Sequence, residues 1–555
     1  MDENKISCAS ADSTQRTWNN IDWSKCEATV KKLQARIVKA QKDGKHGKVK
    51  SLQWLLTHSF AAKALAVKRV TSNQGKKTAG VDKVLWSTPE SKFKAISTLK
   101  RRGYKPKPLK RIYIDKKNGK KRPLGIPTMK DRAMQALYLL ALDPIAETTA
   151  DPNSYGFRKE RSTFDAREQC FCMLAKKDSP QWILEGDIKG CFDHISHEWL
   201  LNNIPMDKAI LHKWLKCGYV FKSRLFDTVE GTPQGGIISP TLANMTLNGL
   251  EAILKSRFKT HSRGGYTNYK VHLIRYADDF IITGASKELL ANEVLPIVND
   301  FMRERGLELS QEKTKITHIS DGFDFIGYNV RKYNGKMLIS PTKESVKRFL
   351  GKIREVVDGH KAVRQDSLIR LLNPIITGWS NYYRYCVASK IFHSADRMIF
   401  NKLWQWSLRR HPKKGKYWVA NKYFHTVRNR KWTFSYIIGK GQSETRTVLK
   451  RLSDVKITRF IKIKAEANPY DTEWTEYFEK RYTYKMLCNL NGKKSLLRIW
   501  ERQKRICPIC GKPIDKNQPW SMTESNRNGR KENILVHDSC KKILNLNKRN
   551  EPTFS

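Results

Sequence analysis

Hydrophobic positions up to about residue 95 recur at helical spacing. Val30, Leu33 and Ile37 stand among Lys and Arg, and Leu52, Leu55 and Leu56 begin a second apolar stripe, which predicts amphipathic helices with one buried face. The pattern changes in SLKRRGYKPKPLKRIYIDKKNGKKRPLGIP, residues 97–127, where Ile112 and Ile114 alternate with polar positions ahead of Asn118-Gly119. Alternation running into an Asn-Gly pair predicts a cationic β-hairpin closed by a type I′ turn. Helical and strand patterns then alternate to about residue 345, which predicts an α+β domain of unusual size. From about 346 to 430 the pattern is helical again and rich in Trp, Tyr, Arg and Lys, as in GWSNYYRY (378–385) and LWQWSLRRHP (403–412). Residues 431–500 stay basic and aromatic, and a short piece, 501–555, ends the chain. Neither an internal repeat nor a low-complexity linker is visible.

Charge sharpens this picture. Lys and Arg number 106 against 53 Asp and Glu, a formal net charge of +53. Self-repulsion of that size is relieved by a polyanion, and a basic chain with 15 Trp suits nucleic acid better than a membrane surface. The longest apolar stretch, Ala133 to Leu142, is broken by Gln135 and stopped by Asp143, too short to span a bilayer. The opening MDENK carries no pattern of a cleaved targeting signal. Eleven cysteines, mostly scattered with one CxxC near the end, fit a reducing compartment and a possible metal site. The expected location is bacterial cytoplasm or the interior of an organelle that encodes the protein.

Two segments stand out from the basic background. WILEGDIKGCFDHI (182–195) is an apolar strand ending at Asp187, and HLIRYADDFIITG (272–284) sets Asp278 and Asp279 between two apolar runs. A strand–turn–strand hairpin would put both acids at its tip. Such a pair is either a solvated turn or a metal site. Nucleotidyl transfer uses two ions about 4 Å apart, held by carboxylates from separate strands, and Asp187 and Asp278 are suitably related.

Several motifs occur in a fixed order. They are RPLGIPTMKDR (122–132), SYGFRKERS (154–162), DIKGCFDHI, GTPQGGIISPTLANMTLNGLE (231–251), YADD (276–279), GLELSQEKTKI (306–316) and FDFIGY (323–328). In that order they resemble the blocks of group II intron-encoded reverse transcriptases and maturases. Upstream, residues 54–82 resemble the N-terminal extension of intron enzymes, and LNPIITGWSNYYRYCV (372–387) resembles the maturase, or thumb, domain. The resemblance implies a multidomain α+β right-hand polymerase. Its parts would be an N-terminal extension (1–95), fingers and a YADD palm (96–345), a helical thumb or maturase domain (346–430), a basic DNA-binding segment (431–500) and a small Cys/His module (501–555). Implied partners are group II intron RNA, target DNA and deoxynucleoside triphosphates, with no membrane.

The resemblance also implies roles for single residues. Asp187 and Asp278 would hold two Mg²⁺ ions with the Ile188 carbonyl, and Asp279 would support them. Asp193 matches no ligand and reads as a cap or turn residue. Phe192 would be the steric gate under the sugar C2′, unless it is a core aromatic. Gln234, Gly235 and Gly236 would lie against the nascent base pair. Arg122, helped by Lys120 and Lys121, would grip the triphosphate. Lys313 would protonate the leaving pyrophosphate, with Lys315 near enough to leave the choice open. Phe325-Ile326-Gly327 resembles the primer-grip turn. The implied function is RNA-directed DNA polymerase and intron maturase, acting in splicing and retrohoming. The alternative is a splicing-only maturase with a vestigial polymerase site.

Cys507-Pro-Ile-Cys510 and His537-Asp-Ser-Cys540 supply four ligands that suit tetrahedral Zn²⁺ or remain as reduced thiols. Their position resembles the HNH endonuclease that ends many intron proteins. Where that family carries a His-His or Asp-His pair this chain has WSMTESN (520–526), and Lys541 stands where a final His belongs. The resemblance therefore implies a degenerate module without endonuclease activity.

Overall fold

A computed structural model of the chain describes residues 17–115, 119, 121–232, 235–259, 268–427, 429–439, 445–489, 494–515, 520–527 and 530–541. They fall into two compact units, Met1–Ala467 and Asn468–Ser555. The division lies inside the 431–500 segment.

In the first unit the N-terminal stripes become α1 (Trp23–Lys42), α2 (His46–His58), α3 (Phe60–Ser72) and α4 (Pro89–Thr98). Asp22 and Ser59 cap α1 and α3 by accepting the N–H groups of Lys25 and Ala62, which satisfies donors that a helix start leaves open. Next, β1 (Leu109–Asp115) and β2 (Lys121–Ile126) form the expected antiparallel hairpin. Asp115 faces Lys121, so the strands close over an odd number of residues, which a two-residue type I′ turn does not satisfy. Asn118 lies outside the described residues. Gly119 is left-handed (φ +77°), as longer hairpin loops require.

Helix α5 (Met129–Thr148) is buried on nearly all sides and carries the apolar stretch Ala133–Leu142. The alanine-rich face of α3 packs closely on it, and α1 and α2 add to the same core. Then come α6 (Thr163–Leu174), β3 (Trp182–Asp187), α7 (Cys191–His194), α8 (His197–Asn203), α9 (Lys208–Leu215), β4 (Tyr219–Phe221), β5 (Arg224–Phe226), α10 (Ser239–Leu247) and α11 (Leu250–Arg257). They lead to β6 (His272–Tyr276), β7 (Asp279–Gly284), α12 (Lys287–Leu289), α13 (Leu295–Glu304) and β8 (Lys315–His318). Strands β6-β7-β3-β8 form an antiparallel sheet, and β1 and β2 join β4 and β5 in a second.

A third sheet, β9 (Phe323–Phe325), β10 (Tyr328–Tyr333) and β11 (Lys336–Pro341), precedes the helices α14 (Lys343–Gly359), α15 (Gln365–Tyr383), α16 (Ser389–Arg410) and α17 (Lys416–Tyr423). Helix does not continue to 430 as the pattern suggested. β12 (Phe424–Val427), β13 (Arg430–Ile438) and β14 (Thr445–Val448) make an antiparallel sheet against α15. Residues 462–467 then strap α6: the Ile463 N–H donates to Asp165 (2.7 Å), and Arg161 donates to the carbonyls of Ala465 and Ala467.

The second unit holds α18 (Thr475–Asn489), α19 (Lys494–Arg502) and the hairpin β15 (Trp520–Arg527) and β16 (Arg530–His537). No helix among the described residues is long and apolar enough to cross a membrane.

Candidate active site

The β6–β7 hairpin pairs Tyr276 with Asp279, so Ala277 and Asp278 make a two-residue turn. Asp279 is the first residue of β7 and faces Asp187 directly across the β3–β7 ladder. Asp187, Asp278 and Asp279 thus gather at one end of one sheet. Like charges placed opposite one another destabilise a sheet. Partial removal from water, followed by repulsion from Asp278 and Asp187, pushes the Asp279 carboxyl up to about 6, with Lys313 pulling the other way.

The turn is held from behind. Ala277 is left-handed (φ +58°), where glycine is usual. Gly156 of SYGF packs so closely that a Cβ there would come within 2.2 Å of the Ala277 nitrogen. Arg275 is fully buried and donates to Asn244 Oδ1 (3.1 Å), Asn248 Oδ1 (2.7 Å) and the Ala277 carbonyl (3.3 Å). Asn244 in turn donates to the Gly156 carbonyl (2.7 Å). Three separate motifs therefore converge behind one aspartate turn. Sequence reasoning passed over Arg275; its signal was a lone cation inside the apolar run HLIRY.

Strand β3 explains Ile188 and the choice of lysine. Asp187 accepts the Ser310 N–H through its carbonyl (2.8 Å), and Lys189 donates to the Glu308 carbonyl (2.9 Å), which makes Ile188 and Leu309 bridge partners. Their main-chain bonds come from the residues on either side, so the Ile188 carbonyl points away from Leu309, toward β7. Further along, Glu185 faces Lys315. Three residue steps along β3 thus face six along the 309–315 segment. The excess folds into a turn, where Lys313 and Thr314 donate to the Ser310 carbonyl. That turn brings Lys313 Nζ to 2.8 Å from Asp187 Oδ2, whereas Lys315 pairs with Glu185 at 3.4 Å. The hydrogen bond to Asp187 raises the Lys313 pKa. Lys313 is therefore the lysine at the carboxylates.

Phe192 on α7 is half-buried, one side on the core and its ring edge-on to Phe157 at 6.3 Å. Its carbonyl accepts the Thr232 N–H (2.7 Å), and the Ile195 carbonyl accepts that of Gly231 (2.9 Å). Gln234 lies outside the described residues. Gly235 (φ +111°) abuts β2, where a Cβ would meet the Gly125 carbonyl at 2.7 Å. Arg122 is exposed on the same β2, opposite Ile114, with Lys121 opposite Asp115; Lys120 lies outside the described residues. Phe192 is thereby linked to Gly231 and Thr232, and Gly235 to the cationic hairpin. The Phe325-Ile326-Gly327 turn is tied to α15, since Tyr382 donates to the Ile326 carbonyl (2.8 Å) and Tyr383 to that of Gly327 (2.9 Å).

Residues 114–330 match the reverse transcriptase (RNA-dependent DNA polymerase) family, 18–99 the N-terminal domain of reverse transcriptase, and 346–424 the group II intron maturase-specific domain. Protein YkfC of Escherichia coli K12 is 31% identical over 52% of this chain and 86% of its own. The chain belongs to the group II intron-encoded reverse transcriptase and maturase family. The group II intron-encoded protein LtrA of Lactococcus lactis subsp. cremoris is 31% identical over 52% of this chain, which spans 60% of that relative's length. Maturase-like protein 1 of Euglena gracilis is 23% identical over 66% of this chain and 78% of its own. The carboxylates described above all lie within the reverse transcriptase match.

In the second unit, the ligand atoms of Cys507, Cys510, His537 and Cys540 lie within 4.8 Å of one another. His537 Nε2 meets the Pro513 carbonyl at 3.1 Å, while Nδ1 faces Cys510 Sγ at 3.4 Å and Cys540 Sγ at 4.0 Å. A carbonyl at one ring nitrogen fixes the tautomer that leaves the other free as a ligand. Burial pushes the Cys507 thiol up, but N–H groups from His537, Cys510 and Ile509 outweigh it and lower the thiol to about 7, favouring the thiolate a metal needs. Trp520 faces His537 across the hairpin, and Lys541 donates to the Met522 carbonyl (3.1 Å).

Proposed function

We propose that the chain is an RNA-directed DNA polymerase that also binds its group II intron RNA, assists its splicing and copies it into DNA at a target site. In this reading β6-β7-β3-β8 is the palm, the β1–β2 hairpin belongs to the fingers and α14–α17 form the thumb. The observation that carries it is the gathering of Asp187, Asp278 and Asp279 with Lys313 at one sheet end. An all-oxygen donor set crowded with like charge fits a hard divalent cation. Two Mg²⁺ ions held by Asp187, Asp278 and the Ile188 carbonyl, with Asp279 beside them, would supply Lewis acidity to the primer 3′-hydroxyl and the triphosphate. Lys313, protonated beside Asp187, would give its proton to the leaving pyrophosphate. Arg122 would grip the triphosphate.

Primer extension on an RNA template tests this reading. Wild type is expected to incorporate deoxynucleotides and reject ribonucleotides, and Phe192→Val to admit ribonucleotides by emptying the space beneath C2′. A variant that still excludes them makes Phe192 a core aromatic; a wild type that extends nothing removes the polymerase reading.

Intron RNA is the proposed partner for the +53 charge. Roughly 8–10 phosphate contacts would give a log–log salt dependence of affinity steeper than about −6. A measured slope near −2 would leave most of the charge facing solvent.

The Cys507, Cys510, His537 and Cys540 set is proposed to hold a structural Zn²⁺. With Trp520 and Ser521 where a general base and metal ligand belong, the module is proposed not to cut the second DNA strand. Priming would then use another 3′ end, such as a nascent strand at a replication fork.

A further inference from the structure

Strand β13 lies outside the three matched segments, and it carries a conformational outlier. Between the pairs His425–Thr433 and Val427–Arg430 the β12–β13 register shifts. Trp432, within the shift, is left-handed at φ +58°. A bulky aromatic side chain is rarely found there. Bulges gather at functional sites, and Trp432 at this one lies against α16.

The indole meets Phe400 at 6.4 Å, Trp404 at 5.9 Å and Phe424 at 6.2 Å, each contact tilted or edge-on. No ring stacks on its face among the described residues, and Trp432 stays 54% exposed. Trp432 thus forms one wall of a recess of about 350 Å³, within the roughly 300–1,000 Å³ range of ligand pockets. The floor is Phe400 and Phe424; the rim is Arg397, Lys431 and Lys450. These three cations have no ion-pair partner among the described residues. The acid in the recess, Asp396, is already occupied: it accepts the N–H groups of Leu452 (2.9 Å) and Ser453 (3.0 Å) and faces Arg451 at 3.8 Å.

An open aromatic face, an apolar floor and three unneutralised cations are the complement of one nucleotide whose base has left its helix: the base stacks, and the flanking phosphates meet the rim. We propose that this recess captures a single unstacked nucleotide of RNA. The inference rests on the RNA-binding reading above and locates one contact within it. RNA is favoured over target DNA because a folded RNA offers bulged and looped bases, whereas duplex DNA keeps its bases stacked.

The test uses the full-length protein with a fluorescein-labelled oligoadenylate RNA, an oligodeoxyadenylate of equal length and a blunt DNA duplex. Ultraviolet crosslinking followed by peptide mass spectrometry is expected to place the RNA on the peptide containing Trp432. Trp432→Ala is expected to weaken RNA binding about tenfold at unchanged melting temperature, and Trp432→Phe, which keeps a stacking face, to stay within about threefold of wild type. Tight RNA binding that Trp432→Ala leaves unchanged overturns the nucleotide site and spares the RNA-binding reading. Preference for the deoxy oligomer or the duplex, lost in the same variant, makes the recess a DNA subsite and also overturns the proposal. A wild type that binds no RNA removes both.

Discussion

Asp278→Ala is expected to abolish cDNA synthesis, by at least about a thousandfold, while affinity for intron RNA stays within a few-fold. The magnitude is the upper end of what loss of one preorganised charge-stabilising group costs a reaction. Asp278 stands in a turn whose shape comes from Gly156, Arg275 and Asn244, so truncating its carboxylate leaves the scaffold in place. It also removes one of the two charges that push Asp279 up to about 6. An acid whose folded-state pKa is raised weakens the fold as pH climbs from its ordinary value through the raised one. Relieving that repulsion should leave the metal-free variant melting no lower than wild type at neutral pH. Primer extension, RNA affinity and a thermal melt on the same preparation check all three points. Equal loss of synthesis and RNA binding would sink the separation of the two activities.

Cys510→Ser is expected to release zinc from the Asn468–Ser555 unit and unfold it, with primer extension preserved. That unit's described core is small: Met486, Trp500, Cys507, Ile514, Ile534, Leu535, Val536 and Cys540. Two of these eight buried residues are themselves candidate metal ligands. Structural zinc sites contribute about 10–16 kcal/mol of apparent binding energy at neutral pH, comparable to the ~5–15 kcal/mol stability of whole domains. Metal content by atomic emission should be one zinc per chain in wild type, and limited proteolysis should degrade residues 468–555 in the variant. A unit that resists protease without metal would mean the cysteines are ordinary reduced thiols.

The carboxylate hairpin was legible in sequence because apolar runs flank Asp278 and Asp279 on both sides, and β3 because its apolar residues stop at Asp187. The choice between Lys313 and Lys315 was not. It depends on three surplus residues between Leu309 and Lys315, a register effect invisible until the facing strand is known. The turn after Ile114 failed for a related reason: Asn118-Gly119 is a local signal, and the cross-strand pairing of Asp115 with Lys121 overrides it. Strands β12–β14 were missed although Trp432, Phe434 and Tyr436 alternate with Thr433 and Ser435; the period-two signal was hidden only by the basic, aromatic character that the segment shares with the helices before it. Arg275 escaped because a charged residue in an apolar run reads as a break in the core, although its buried hydrogen bonds make it part of the core.

The hydroxyls of Tyr382 and Tyr383 set a direction for how such a gene can decay. They hold the carbonyls of Ile326 and Gly327, so a turn of the reverse transcriptase match is finished by a helix of the maturase-specific match. A lineage that shed its C-terminal helices would leave that turn unsupported and its enzyme impaired. A lineage that lost an aspartate would keep every one of these bonds. On the proposed reading, erosion can therefore convert a copying enzyme into a splicing factor by point mutation, whereas deletion of the C-terminal helices would cost both activities at once.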